Sequence, residues 1–140
     1  MATPFTVEGI RGLAYRILVV DDEPDILVAV CSVLETCRGI SCEVKGFSEP
    51  LMALDYFEQD PAAFDLLITD VRMPRMIGFE LAKKVNDLRP GTKVIFMSAF
   101  EVDERTPGYP KALKKEDILH KPHDLLELCK ILEKYIAHSS

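Results

Sequence analysis

Two short apolar runs, each closed by an acid, constrain this chain more than anything else in it. Residues 16–20 read RILVV and lead directly into Asp21 and Asp22, while residues 65–70 read DLLITD and stop on Asp70. Runs this short, β-branched and evenly apolar do not suit a sheet with one wet face, so they predict strands buried on both sides. Each acid then stands where its strand leaves the core.

Between these runs the pattern switches to helical spacing. Pro24 is placed to open a helix, because proline is tolerated in a first turn, and Ile26, Leu27, Val30, Val33 and Leu34 recur on one face up to about Cys37. Gly39 punctuates that end. CEVKGF, residues 42–47, alternates as a strand, and Ser48, Glu49 and Pro50 begin a second helix carrying Leu51, Ala53, Leu54 and Phe57. Met73-Pro74 forces a turn after Asp70. A third helix follows Gly78, with Phe79, Leu81, Ala82, Val85 and Leu88 inward, and stops at Pro90-Gly91. KVIFMSA is a fourth buried strand, ending at Ser98. Pro107, Gly108 and Pro110 interrupt any long helix in the next stretch, which predicts a loop or a short broken helix. Residues 118–120 form a short fifth strand, and residues 123–137 a last amphipathic helix on Leu125, Leu128, Ile131, Leu132 and Ile136. Five strands alternating with five helical regions imply an α/β fold, a parallel sheet covered on both faces.

Composition limits the reading further. The 140 residues suffice for one ordinary domain, with 48% hydrophobic content to fill its core. A formal net charge of -6 disfavours non-specific binding to nucleic acid. Cys31, Cys37, Cys42 and Cys129 show no CxxC pair and no histidine at finger-type spacing, so they signal neither a zinc site nor a disulfide framework and are expected as reduced, mostly buried thiols. His120, His123 and His138 have no triad or metal spacing and are expected at the surface; Met73 and Met76 are expected to pack. Residues 1–15 lack the charged start and apolar stretch of a signal peptide and are expected to form an N-terminal extension ahead of a single domain at 16–138. The apolar runs are too short to span a bilayer, and the expected location is the cytoplasm.

In an open parallel sheet, ligands bind beyond the carboxyl ends of the strands. Those ends gather Asp21, Asp22, Asp70, Ser98 and Lys121. Taken singly, each has a bland explanation as a cap or turn residue, but acids recurring at successive strand ends reverse the odds. Three converging carboxylates repel one another and raise each other's pKa, a conflict that a hard divalent ion resolves with oxygen ligands at ~2.0 to 2.1 Å. The all-oxygen set favours Mg²⁺ over zinc. A carboxylate beside such an ion can attack a phosphoryl group, which makes Asp70 the candidate nucleophile, with Lys121 and the Ser98 hydroxyl to balance charge on the phosphoryl oxygens.

ILVVDDEPD at 17–25, LLITDVRMP at 66–74, VIFMSA at 94–99 and HKP at 120–122 together resemble the receiver domains of two-component response regulators, over roughly residues 15–137. The resemblance implies a flavodoxin-like (βα)5 three-layer sandwich with strand order 2-1-3-4-5. It implies phosphoryl transfer to Asp70 from a partner histidine kinase or phosphotransfer protein, in a chain that catalyses only its own phosphorylation and dephosphorylation. It further implies a magnesium site made by Asp21, Asp22, Asp70 and the Arg72 backbone carbonyl, Ser98 as the switch hydroxyl, Lys121 as the paired lysine, and a cis peptide before Pro122. An unknown downstream protein is the expected target, with no direct nucleic-acid or membrane partner; a phosphorylation-dependent homodimer stays open. Two departures stand out. Ile118 occupies the place of the family's switching aromatic, and the prolines at 107–110 fall where relatives carry a regular helix, so switching is expected to act by ordering that segment. Arg72 and Phe100 are bulky and lie two residues beyond active-site positions, which predicts a long-lived phosphorylated form.

Three other functions compete. A HAD-type phosphatase needs a second aspartate two residues after the nucleophile, where Arg72 stands. A flavodoxin needs a Ser/Thr/Gly-rich loop after the first strand, where this chain has Asp-Asp-Glu-Pro. A binding module with an unmodified Asp70 is the third. The chain is either a stand-alone receiver or part of a longer regulator or hybrid kinase.

Overall fold

A computed structural model describes residues 14–114, 117–121 and 127–137. Its elements are β1 (Tyr15–Val20), α1 (Pro24–Glu35), β2 (Cys42–Phe47), α2 (Pro50–Gln59), a single 3-10 turn (Pro61–Ala63), β3 (Leu66–Asp70), α3 (Gly78–Leu88), β4 (Lys93–Ser98), β5 (Ile118–His120) and α4 (Leu128–Ala137). The five strands form one parallel sheet in the order β2-β1-β3-β4-β5. This is the flavodoxin-like arrangement, with strand order reversing at β1 and β3.

The alternation of strand side chains divides the interior into two layers. Leu18, Val20, Leu67, Phe96 and Ile118 point to one face, where they pack with Ala53 and Phe57 of α2 and Phe79 and Val85 of α3. Ile17, Val19, Ile68, Ile95, Met97 and Leu119 point to the other, against Val30 and Leu34 of α1 and Leu128 and Leu132 of α4. Every residue of β3 is buried, which is why its sequence shows no polar alternation. The middle of the sheet is therefore a rigid platform for whatever its ends carry.

Helix entry follows the prolines. Pro24 and Pro50 open α1 and α2, and neither Glu23 nor Glu49 makes a side-chain cap. Met76 is buried and Met73 packs against the α2–α3 layer, as packing residues. His120 is exposed; His123 and His138 lie outside the described residues, as do Pro122, Leu125 and residues 1–13. No helix of the described residues is long and apolar enough to cross a membrane.

The described chain meets one expectation and overturns another. Residues 99–114 contain turns and no helix, the loop that Pro107, Gly108 and Pro110 predict, so the described residues hold four α-helices. Gly108 adopts φ 79°, and Tyr109 between Gly108 and Pro110 lays its ring edge-on to Phe79 at 5.4 Å. Val102 is buried, and Tyr109 and Leu113 pack on the same layer, so this loop covers α3 with side chains instead of a helix.

The expectation that is overturned concerns the thiols. Cys37, just past α1, is bonded to Cys129 on α4, with Cα atoms 5.5 Å apart across a sequence separation of 92. The expectation of four reduced cysteines holds only for Cys31 and Cys42, which are free and half-buried. A bond between residues so distant has no local spacing to announce it; the packing of α4 against α1 behind the sheet creates it.

Candidate functional site

The site forms at the carboxyl ends of β1, β3, β4 and β5. Parallel register places Thr69 beside Val20 and Asp70 beside Met97, so the acids after β1 and at the end of β3 come to the same edge. The chain holds each acid by its backbone. Asp21 N–H donates to Phe47 O at 3.1 Å, prolonging the sheet by one bond, and Val71 N–H donates to Met97 O at 2.9 Å. Lys121 N–H donates to Ser98 O at 2.9 Å, which fixes the lysine just beyond β5.

Side chains converge from these anchors. Asp21, Asp22 and Asp70 each present a carboxylate oxygen, and these three atoms lie within 4.8 Å of one another. Lys121 Nζ donates to Asp21 Oδ2 at 2.7 Å and stands 3.5 Å from Asp70 Oδ2 and 3.6 Å from Glu23 Oε1. The other oxygen of Asp21 accepts from Glu23 N–H at 2.9 Å. Asp21 is fully buried, Asp70 and Lys121 are 5% and 7% exposed, and Asp22 is half-buried. The cluster therefore lies in a shallow recess with one cation facing three carboxylates.

Ser98 ends β4, one residue beyond the Asp70 partner Met97, and is buried. Its hydroxyl donates to Phe100 O at 2.7 Å and accepts from Phe100 N–H at 3.1 Å. The hydroxyl is thus spent on the start of the 99–114 loop, and a helix cap is ruled out because no helix follows. Arg72 lies two residues past Asp70, with its guanidinium 5.9 Å from the centre of the exposed Phe100 ring. Ile118, in the place of the family's aromatic, is buried in the α2–α3 layer.

Three contributors escaped the sequence reading. Glu23 supplies both a backbone donor to Asp21 and a carboxylate near Lys121; its place in the acidic DDE run was the only signal. Thr69, fully buried, donates its hydroxyl to Asp70 O at 3.0 Å. Gly78 opens α3 against the Asp70 backbone, donating its N–H to Val71 O at 2.7 Å, and a Cβ there would lie 2.1 Å from Asp70 O. Only glycine fits that close approach.

Electrostatics follow from the crowding. Burial, then the charge of Asp21, push the Asp70 carboxyl up to about 7 against an ordinary 3.8, with Lys121 pulling the other way and Asp22 adding charge and a hydrogen bond that favour the protonated form. Burial also raises Asp21, although Lys121 and the Glu23 N–H oppose it. Burial works against the Lys121 charge, but Asp21, Asp70 and Glu23 together outweigh it and raise the ammonium above its usual range. An all-oxygen trio of this kind fits a hard divalent cation such as Mg²⁺, which would relieve the repulsion that the single lysine leaves uncompensated.

The model of the response regulator receiver domain matches residues 17–133. The chain belongs to that family. It is 30% identical to the response regulator receiver protein CpdR of Brucella abortus over 121 residues, covering 86% of this chain and 96% of CpdR. It is 36% identical to the transcriptional regulatory protein ZraR of Salmonella typhimurium over 137 residues, covering 93% of this chain but only 28% of ZraR. The crystal structure of a receiver domain protein from Clostridium thermocellum superposes with TM-score 0.72 at 26% identity, covering 89% and 96% of the two chains. Receiver domains are phospho-accepting signalling switches: they take a phosphoryl group on an aspartate, work with histidine kinases or phosphotransfer proteins, and generally use Mg²⁺. The phosphatase and flavodoxin readings give way to this assignment.

The raised Asp70 carboxyl has a stability consequence. Between the unfolded value of 3.8 and about 7, the folded chain holds a proton that the unfolded chain releases. The metal-free protein therefore loses stability as pH rises through that window. Asp70→Asn is expected to raise the melting temperature of the metal-free protein, and by more at about pH 8 than at about pH 5. A gain that does not change with pH would contradict this electrostatic account.

Proposed function

We propose that Asp70 is the phosphoacceptor, that Asp21, Asp22, Asp70 and the Arg72 backbone carbonyl hold Mg²⁺, and that Ser98 and Lys121 complete the transfer site within a domain at residues 16–138. The observation that carries this reading is the meeting of three carboxylate oxygens with the Lys121 ammonium at one sheet edge. When bound, the ion supplies charge neutralisation for the phosphoryl oxygens.

The residues divide the work. The Asp70 carboxylate attacks the phosphorus of a phosphohistidine on a histidine kinase or phosphotransfer protein, the P–N bond breaks, and the histidine keeps the departing electron pair. Lys121, already 3.5 Å from Asp70, pairs with an oxygen of the transferred group. Gly78 and Thr69 steady the Asp70 backbone during the approach. The same site returns the protein to its resting state by admitting water, so the chain catalyses its own phosphorylation and dephosphorylation and nothing else.

Switching starts at Ser98. For its hydroxyl to donate to a phosphoryl oxygen, it must release the Phe100 carbonyl, which frees the first turn of the 99–114 loop. With the aliphatic Ile118 in place of an inward-swinging ring, the signal passes through this loop, whose Tyr109 and Val102 pack on α3. The net charge of -6 favours a protein target over nucleic acid, and a cytoplasmic site of action matches the expected partners.

Intact-mass measurement after acetyl phosphate with Mg²⁺ tests the acceptor: the wild type gains one phosphate and Asp70→Asn gains none. A phosphorylated Asp70→Asn variant would overturn the assignment. The Arg72–Phe100 pair beside the site predicts slow hydrolysis, because water must pass bulky groups to reach the phosphorus. Arg72→Ala and Phe100→Ala are each expected to shorten the phosphoprotein half-life several-fold; a wild-type half-life of seconds would defeat the idea.

A further inference from the structure

The Cys37–Cys129 bond joins the two helices that issue from the site. α1 leaves directly after Asp21, Asp22 and Glu23, and α4 follows the strand that presents Lys121. The end of α1 and the first turns of α4 meet behind the sheet, where Leu34, Leu128 and Leu132 are fully buried around the cysteines. Cys37 is 6% exposed, whereas Cys129 is only half-buried. Both sulfurs lie against the Val33 carbonyl, at 3.3 and 3.8 Å, so the reduced thiols would find an acceptor in place without rearranging α1.

We propose that Cys37 and Cys129 form a reversible thiol–disulfide site, closed by a low-molecular-weight disulfide, that fastens α4 to α1. The half-exposed Cys129 thiolate attacks the reagent disulfide, forming a mixed disulfide and expelling one thiolate. The Cys37 thiolate then attacks the Cys129 sulfur, forming the internal bond and expelling the second. Two protein thiols are oxidised, one reagent disulfide is reduced to two thiols, and the two protons pass to the expelled thiolates. Dithiol reductants run the sequence backwards. Cys31 and Cys42 do not compete: burial, with Glu35 beside Cys31, holds both thiols protonated and poorly nucleophilic.

The test uses the full chain in glutathione buffers of graded redox ratio, quenched by alkylation and read by intact mass. The wild type is expected to pass from four alkylated cysteines to two as the buffer becomes oxidising, with no retained glutathione, and to return on reduction. A Cys31→Ser/Cys42→Ser variant should pass from two to none, and Cys37→Ser should form no internal bond and retain one glutathione on Cys129 in oxidising buffer. Amide exchange should be slower across residues 128–137 in the oxidised form. A stable glutathione adduct on the wild type, a bond that glutathione cannot open in the folded chain, or equal exchange in both forms would overturn the proposal.

Discussion

The contact between Lys121 and Asp21 is the interaction on which the rest of the site depends. It joins residues 100 positions apart, it is buried on both sides, and among the described residues it is the ion pair that compensates the three convergent carboxylates. Removing one partner of such a buried pair typically costs ~3 to 5 kcal/mol, because the other charge is left unpaired. One cation beside three acids still leaves an excess of negative charge, and burial together with that excess raises the Asp70 carboxyl to about 7. The site is electrostatically unfinished, a state that suits the divalent ion and the phosphoryl group proposed for it.

The sheet supplies the rigidity this arrangement needs. β1 and β3 lie at its centre with apolar layers on both faces, and the acids follow directly from them. Backbone bonds from Asp21 to β2, from Val71 to β4 and between Lys121 and Ser98 lock the register of the strand ends. The proposed switch acts at the rim, where Ser98 holds Phe100 and the 99–114 loop has turns in place of a helix.

Much of this was legible because burial and chemistry coincide in the sequence. A strand covered on both faces has to be apolar throughout, so RILVV and LLIT are visible, and an acid ending such a strand is conspicuous. The breaks at Pro107, Gly108 and Pro110 likewise announced a loop. What stayed hidden depends on distance in the chain. Nothing near Cys37 or Cys129 indicates that α1 and α4 bring them together, and the need for glycine at 78 arises only when the Asp70 carbonyl is 2.1 Å from a would-be Cβ. Glu23 was concealed for another reason: its exposed carboxylate looks like any surface acid until Lys121 reaches toward it.

The central claim is that the recess is completed by magnesium held on Asp21, Asp22 and Asp70. Calorimetric titration with magnesium chloride near neutral pH, repeated in buffers of different ionisation enthalpy, addresses it directly. The wild type should take up one ion at millimolar concentrations with release of protons, and Asp22→Asn should weaken uptake at least tenfold. Absence of magnesium uptake by the folded wild type, or uptake indifferent to Asp22→Asn, would contradict the account.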